Sequence, residues 1–140
     1  MHAAGTKPLL FAISQLSSEL QNTKPIFLKI SPDENDESLK QIIKIVESSI
    51  FSGLIATNTT TDKTLLKESK YHKYEGGLSG VPLFNKSNQK LKLINAISED
   101  MPLIAVGGVI NKETYSKKLE SGADLVQIYT GFIIKGPSIV

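Results

Sequence analysis

Four short apolar segments alternate with four amphipathic segments along this chain of 140 residues. The apolar segments predict strands at residues 25–30, 53–57, 102–106 and 125–129. The amphipathic segments predict helices at residues 8–21, 36–49, 87–98 and 111–121. Strands that are apolar throughout are buried on both faces, which requires a parallel sheet covered by helices. The order αβαβαβαβ therefore predicts an α/β fold with right-handed crossovers.

The glycine positions favour a barrel over a doubly wound sheet. No Gly-x-Gly-x-x-Gly motif follows the first strand, so the dinucleotide-binding fingerprint is absent. The last two strands end in glycine-rich turns, and in barrels a phosphate site lies after strands seven and eight. Four βα units cannot close an eight-stranded barrel. We therefore predict that residues 1–140 form one partial domain, the second half of a TIM-type (β/α)8 barrel.

An open half-barrel has structural consequences of its own. We expect no helix after the fourth predicted strand, because the chain stops shortly after it. The sheet should then have two exposed edges, which bind other strands readily. The isolated chain is accordingly expected to be marginally stable or to associate.

Composition excludes several classes of function. All 16 basic residues are lysines, at a net charge of +2, so recognition of bases by arginine is impossible. The lysines are scattered, which predicts a solvated surface and no nucleic-acid partner. The absence of cysteine excludes disulfides and thiolate chemistry. His2 and His72 lie in polar stretches without ligand spacing, so we expect surface histidines and no metal site. No apolar run approaches the ~20 residues of a membrane span, and no signal peptide opens the sequence, so this segment is expected to be soluble.

Three polar residues at strand ends are candidates for ligand contact. Lys29 is the only charge in the first predicted strand, near its carboxyl end. It either faces an anionic or electron-accepting group or extends its stem to solvent. Asn58 and Thr59 follow the second strand, where an amide suits a planar ligand with carbonyl and N–H groups. Ordinary turn chemistry explains the pair equally well.

Glycine-rich turns supply a second group of candidates. The long polar segment 59–84 contains Gly76-Gly77-Leu78-Ser79-Gly80, which is either a binding loop or a plain turn. The segments Gly107-Gly108 and Tyr129-Thr130-Gly131 follow successive strands. Backbone N–H groups at such strand-to-helix turns point at anions, so these two turns predict a phosphate site.

Five segments together resemble those of dihydroorotate dehydrogenase, in order and spacing, across nearly the whole chain. They are Lys29-Ile30-Ser31-Pro32-Asp33, Ile55-Ala56-Thr57-Asn58-Thr59-Thr60, Gly76-Gly77-Leu78-Ser79-Gly80, Ala105-Val106-Gly107-Gly108-Val109 and Leu125-Val126-Gln127-Ile128-Tyr129-Thr130-Gly131-Phe132. The Thr-Asn-Thr-Thr run is similar to that of the second class of the family, which is membrane-associated and quinone-linked. The resemblance covers the carboxyl half of the family's barrel.

The resemblance implies a function and a cofactor. The family fold is a (β/α)8 barrel that holds FMN and oxidises dihydroorotate to orotate in the synthesis of pyrimidines and UMP. In the second class the electrons pass to quinone. The resemblance implies FMN contacts for Lys29, Thr57, Ser79, Gly80, Gly107, Gly108, Tyr129 and Thr130. It implies that Asn58 and Thr59 bind the pyrimidine ring of the substrate.

The sequence departs from the family pattern in what it lacks. The catalytic base of the second class is a serine on a loop after an earlier strand, and we assign that role to no serine here. The amino-terminal helices that receive quinone and meet the membrane are also absent, as is the last barrel helix. We therefore expect this chain to be a piece that does not oxidise dihydroorotate unaided. The whole protein is expected to lie peripherally on the cytoplasmic side of the inner membrane.

Two alternatives stay open. Another phosphate-binding barrel, such as a lyase or isomerase of sugar phosphates, would share the two glycine turns. A non-catalytic half-barrel that pairs with itself would share the fold.

Overall fold

The computed structural model describes residues 3–21, 23–66 and 70–139. Its four strands are β1 (Phe27–Ile30), β2 (Gly53–Ala56), β3 (Leu103–Val106) and β4 (Leu125–Gln127). They form one sheet in the order β1-β2-β3-β4, and every neighbouring pair is parallel. The predicted α/β fold with parallel strands is confirmed.

The strand register brings the carboxyl ends of the four strands to one edge. Ile30 of β1 lies beside Ala56 of β2, which in turn lies beside Ala105 of β3. Val106 lies beside Gln127 of β4. The segments that follow the four strands therefore start side by side, and this edge is where the predicted site residues meet.

Five helices accompany the sheet: α1 (Ala3–Glu19), α2 (Asp36–Glu47), α3 (Phe84–Ile97), α4 (Lys112–Leu119) and α5 (Thr130–Lys135). Short 3₁₀ helices lie at Lys63–Leu66, Lys70–Lys73, Val81–Leu83 and Pro137–Ile139. None of the helices in the described part of the chain is long and apolar enough to cross a membrane.

Side-chain caps fix where two of the helices begin. Asn35 accepts a hydrogen bond from the N–H of Ser38 at 2.8 Å, which satisfies a free donor in the first turn of α2. Asn111 accepts from the N–H of Thr114 at 2.9 Å, and Thr114 accepts in return from the N–H of Asn111 at 3.0 Å. The predicted cap at Asn111 is confirmed. It turns the chain sharply into α4 directly after the glycine turn.

The hydrophobic core lies where α2 and α3 cover the sheet. Leu39 and Ile43 of α2, Leu54 of β2, and Leu91 and Ile94 of α3 are fully buried. Their 3.6-residue spacing in the helices is the pattern that predicted both elements. The core fixes the strands and so holds the site edge rigid.

The structure differs from the predicted helices in three places. Helix α1 begins at Ala3 instead of residue 8 and places Pro8 inside it, because two alanines favour the additional turn. Helix α3 begins at Phe84, directly after a 3₁₀ helix, rather than at residue 87. The prediction that no helix follows the fourth strand is wrong, since α5 occupies Thr130–Lys135. The run Phe132-Ile133-Ile134 is continuously apolar and gave no helical period.

The described sheet has open edges at β1 and β4, as predicted. Large apolar side chains are exposed on β4, at Leu125, and after it, at Tyr129, Phe132, Ile133 and Ile134. Others are exposed on α1, at Leu9, Phe11 and Leu16, and directly after it, at Leu20. The β4 edge and helix α1 therefore present surface of the kind that other parts of a protein cover.

The prediction of a solvated lysine surface is wrong for several residues. Lys118 of α4 is completely buried, and on α3 the side chains of Lys86 and Lys90 are only 24 % and 13 % exposed. Of the two histidines, His72 is exposed as predicted, and His2 lies outside the described residues.

Candidate binding site

A cavity of about 210 Å³ opens at the carboxyl edge of the sheet. All ten predicted cofactor and substrate residues line it: Lys29, Thr57, Asn58, Thr59, Ser79, Gly80, Gly107, Gly108, Tyr129 and Thr130. These residues come from the ends of all four strands and from the long polar segment. The structure thus brings together the whole set that the sequence singled out.

Five further residues complete the lining: Leu83, Val106, Val109, Gln127 and Gly131. Gly131 belongs to the predicted glycine turn. Gln127 is the one polar side chain in β4, which is a signal that sequence reasoning passed over. The three apolar residues carry no such signal, because apolar side chains at these positions are equally typical of a core.

Lys29 lies on β1 beside Ile55 of β2 and lines the cavity. Its neighbour Ile30 is buried in the core, so strand alternation directs Lys29 to the other face. The side chain is exposed, and its charge therefore avoids the penalty of burial. Lys29 supplies a solvated positive charge at one wall of the cavity.

The segment after β2 forms a second wall, and its backbone is fixed on both sides. Thr57 donates its N–H to the carbonyl oxygen of Val106 at 3.2 Å, and Asn58 donates its N–H to Ile30 at 2.7 Å. The peptide bond that precedes Thr57 is cis. The Asn58 Oδ1 atom accepts from the N–H of Thr59 at 2.9 Å. Asn58 and Thr59 therefore take part in a turn and also line the cavity, so the two interpretations of this pair are compatible.

Glycines let the long polar segment close against the cavity. A Cβ at Gly77 would lie 1.9 Å from Thr59 Oγ1, and a Cβ at Gly80 would lie 3.1 Å from Thr130 Cγ2. Gly80 also has a φ of +74°, which side chains rarely adopt. The Oγ atoms of Thr130 and Ser79 are 3.0 Å apart and hydrogen-bonded. This bond connects the polar segment to the turn after β4.

The turn after β3 places bare backbone at the cavity. Gly107 and Gly108 have φ values of +114° and +77°. A Cβ at Gly108 would lie 2.5 Å from Phe84 Cβ, so the turn packs directly on the first residue of α3. Its N–H groups and the amino terminus of a 14-residue helix are thereby close together, an arrangement that favours an anion.

An ionic network supports the segment after β2. Lys86 Nζ lies 2.6 Å from Asp33 Oδ1 and 3.2 Å from Asp62 Oδ2. Thr60 donates its hydroxyl to Asp33 at 2.5 Å, and Thr61 donates its N–H to the same carboxylate at 2.7 Å. We call these five residues the Asp33 network. It connects the loop after β1, the segment after β2 and α3, and sequence reasoning missed it because its members are far apart in the chain.

The Asp33 network shifts the pKa values of its charged members. Partial burial raises the pKa of Asp33, but hydrogen bonds from Lys86, Thr60 and Thr61 outweigh burial and hold the pKa well below the ordinary 3.8. Burial lowers the pKa of Lys86, and its bonds to Asp33 and Asp62 outweigh that effect and raise it. Both groups are therefore charged at neutral pH.

Comparison with known proteins gives one consistent result. The family described as dihydroorotate dehydrogenase matches residues 3–140. A curated relative from Dichelobacter nodosus, dihydroorotate dehydrogenase (quinone), is 46 % identical over 126 residues, which cover 90 % of this chain and 37 % of the relative. A protein of the same name from Christiangramia forsetii is 42 % identical over 135 residues, covering 96 % of this chain and 39 % of its own. This chain thus spans little more than a third of the length of these relatives.

Solved structures agree with the sequence matches. A crystal structure of the Eimeria tenella dihydroorotate dehydrogenase in complex with ferulenol superposes with a TM-score of 0.74 at 33 % identity, over 79 % of this chain and 30 % of that one. The ligand-free form superposes with a TM-score of 0.75 at 32 % identity. The four strands and their helices match part of that barrel, which confirms the predicted fold class.

Proposed function

The chain belongs to the dihydroorotate dehydrogenase family, and on that premise we propose that it forms an FMN- and pyrimidine-binding part of a quinone-linked enzyme. In the complete protein this part would take part in the oxidation of dihydroorotate to orotate for pyrimidine synthesis. The partners of that reaction would be dihydroorotate and a quinone. The alternative of a sugar-phosphate lyase or isomerase loses its support, because the family match covers residues 3–140.

One observation carries the proposal: ten residues that are scattered over a hundred positions line a single cavity. A random set of polar and glycine residues from four βα units would be spread over both ends of the sheet and over the helices. Their convergence at the carboxyl ends of parallel strands is typical of a ligand site.

The residues at this cavity fit the chemical parts of FMN. The phosphate suits the bare backbone of Gly107 and Gly108, where any side chain would collide with α3 or need a strained conformation. The flavin ring suits the wall at β1, where Lys29 supplies a positive charge. FMN, when bound, supplies the acceptor for the two electrons that leave dihydroorotate. We assign Thr57, Ser79, Gly80, Tyr129 and Thr130 to the walls that hold it.

The side chains have distinct tasks in this proposal. The Lys29 ammonium would stabilise negative charge on the ring, because it places a positive charge at the cavity. Asn58 and Thr59 hydrogen-bond and orient the pyrimidine, whose ring carries alternating carbonyl and N–H groups. No residue of this chain is assigned as the base that removes the substrate proton. Without that base the chain binds and orients but does not complete the reaction.

Membrane contact and quinone binding are assigned to parts of the protein outside these 140 residues. In that arrangement the complete enzyme is peripheral on the cytoplasmic side of the inner membrane. This chain then provides the electron-accepting cofactor site.

Flavin binding and turnover test the proposal separately. The 140-residue chain is titrated with FMN, and quenching of flavin fluorescence is measured. A chimera is then made in which the matched 126 residues replace the corresponding segment of the Dichelobacter nodosus relative. We expect the chimera to be yellow, to release FMN on denaturation and to reduce a dye with dihydroorotate, and the chain alone to show no turnover.

Two results would contradict the proposal. A well-folded chimera that contains no flavin would refute the FMN assignment. Turnover by the 140-residue chain alone, at a rate comparable to the parent relative, would refute the assignment of the base to another segment. The parent relative serves as the positive control for both measurements.

A further inference from the structure

Lys118 on α4 is a buried charge that the proposed function does not use. Its side chain has 0 % exposure, and no carboxylate of the described residues forms an ion pair with it. Its Nζ atom donates to Ser87 Oγ at 2.5 Å and lies 5.1 Å from the centre of the Phe84 ring. A lysine buried with only a hydroxyl and a ring as partners is costly, so its presence calls for a compensating interaction.

The partners of Lys118 lie directly behind the glycine turn. Ser87 donates to the carbonyl oxygen of Phe84 at 3.0 Å and is 3.4 Å from the carbonyl oxygen of Gly107. A Cβ on Gly107 would lie 3.1 Å from Ser87 Oγ, and one on Gly108 would contact the Phe84 backbone. Lys118 is therefore only two hydrogen bonds from backbone that lines the cavity.

We propose that Lys118 is a positioning residue for the anion at the Gly107–Gly108 turn. It holds the turn through Ser87 and adds a positive charge behind the backbone that faces the cavity. The inference rests on the proposed function, since it takes the anion to be the FMN phosphate. Direct contact with the phosphate is not required, because a charge in a water-excluded interior acts over several ångströms.

The charged groups on the elements around Lys118 leave it without compensation. Helix α4 itself carries Lys117, paired with Glu113 at 2.5 Å, and the exposed Glu120 follows it. Helix α3 presents the exposed Lys92, and the segment before β4 presents Asp124, which accepts from the N–H of Leu103 at 2.8 Å. None of them pairs with Lys118 within the described residues. Desolvation alone lowers the pKa of Lys118 to about 7.

A bound dianion should reverse that effect of desolvation. Negative charge at the turn favours the protonated lysine, so the pKa of Lys118 should rise when the site is filled. By linkage, anion affinity is highest while Lys118 is protonated and falls as the pH rises through about 7 toward the higher pKa of the complex. The phosphate itself is already a dianion above about pH 6, so its own titration does not cause this fall.

The test compares FMN with riboflavin, which has the same ring but no phosphate. The 140-residue chain and the chimera are titrated with each flavin between about pH 6.5 and 9, as wild type and as Lys118→Met. Lys117→Met is the matched control, since Lys117 is adjacent but exposed and paired with Glu113. Circular dichroism and thermal unfolding are recorded for every variant.

We expect FMN affinity to fall about tenfold across this pH range in the wild type, and to be about tenfold weaker and independent of pH in Lys118→Met. Riboflavin affinity should be the same in both proteins at every pH, and Lys117→Met should behave as the wild type. The thermal midpoint of Lys118→Met should be unchanged or higher, because an apolar side chain replaces an unpaired buried charge. This combination of a stable protein with weaker FMN binding is not expected of a purely structural residue.

Two outcomes overturn the inference: unchanged FMN affinity in Lys118→Met, or an equal loss of FMN and riboflavin affinity. If the wild type binds neither flavin, the FMN proposal has failed, and inorganic phosphate becomes the probe. NMR of the Lys118 side chain then follows its pKa with and without phosphate. A rise of that pKa supports the anion role, and no change, or no phosphate binding, overturns it.

Discussion

Gly108 is required by packing as well as by backbone conformation. Gly108 and Gly76 both have a positive φ, +77° and +109°, but the surroundings of the two residues differ completely. A Cβ at Gly108 would lie 2.5 Å from Phe84 Cβ, whereas one at Gly76 would meet nothing within 4 Å. Comparison of Gly76 with Gly108 therefore separates the effect of backbone conformation from the effect of steric crowding.

Alanine at these two positions should therefore give different losses of stability. Gly76→Ala should cost about 1 kcal/mol of unfolding free energy, from backbone strain alone. Gly108→Ala adds a collision with α3 and should cost about 1–3 kcal/mol more. Denaturant unfolding of both variants measures the difference, and equal losses would show that Phe84 moves aside without penalty.

Lys29 is the residue whose role in the flavin site is most directly testable. Lys29→Ala in the chimera should weaken FMN binding or slow flavin reduction by about tenfold, because a charge facing the ring is lost. Lys117→Ala is the control, as its side chain lies on the outer surface of α4. Flavin titration and stopped-flow reduction by dihydroorotate give the two quantities. Equal and negligible effects of the two substitutions would refute the flavin role of Lys29.

Between elements, the Asp33 network is the main polar connection on the site side of the sheet. It joins the loop after β1 to the segment after β2 and to Lys86 on α3. The remaining ion pairs of the described residues connect fewer partners; Asp36, for example, meets only Lys90, at 2.9 Å. The network therefore holds Asn58 and Thr59 through the residues that follow them directly.

Asp33→Asn should destabilise the protein by about 2 kcal/mol near neutral pH, since it removes charge-assisted hydrogen bonds. The folded pKa of Asp33 lies below its ordinary 3.8, so its stabilisation is present above the unfolded pKa and is lost as the pH falls toward the folded pKa. The stability difference between wild type and variant should then be full above about pH 5 and shrink in more acidic solution.

Denaturant unfolding between pH 3 and 7 measures this difference, at about half-unit steps. Asp36→Asn is the control, because its carboxylate is exposed and its single ion pair contributes little. A difference for Asp33→Asn that stays constant with pH would contradict the role of its charge.

Patterns among residues close in the chain predicted most of the elements. Contacts between residues far apart in the chain could not be predicted in this way. Asn111 was recognised as a cap because capping depends on neighbours three residues away. Helix α5 was missed because its three consecutive apolar residues have no helical period. Lys86 and Lys118 look like surface residues in the sequence, because their partners are far away in the chain. The partners of Lys86 lie between 24 and 53 positions away, and Ser87, the partner of Lys118, lies 31 positions away in another helix. Only the folded structure reveals such burial.

At the scale of the whole molecule, the four-stranded sheet explains both the candidate binding cavity and the free edges. Its strand ends lie together at the edge that carries the candidate binding cavity, and its outer strands β1 and β4 have free edges in the described part of the chain. All ten residues that the family resemblance singled out line that cavity, which lies at the strand ends where ligands bind in this fold class. Their individual roles stay predictions.

The isolated 140-residue chain should associate through its open edges and exposed apolar surface. Sedimentation should give a mass well above 15.3 kDa that depends on concentration. Leu125→Lys places a charge on β4, where Leu125 is 63 % exposed, and should shift the distribution toward monomer. Lys117→Ala is a control, because it changes an exposed residue of α4 and leaves the edge strand itself unaltered. A wild-type chain that is monomeric at every concentration would contradict this expectation.

The order of the strands in the sheet is the same as their order in the chain. During synthesis each new strand therefore finds the edge it pairs with already made, one βα unit earlier, and no strand has to wait for a distant partner. The sheet can grow on the ribosome from β1 toward β4, with the last-made turn after β4 closing the cavity. The cavity would then be complete only once the turn after β4 has left the ribosome.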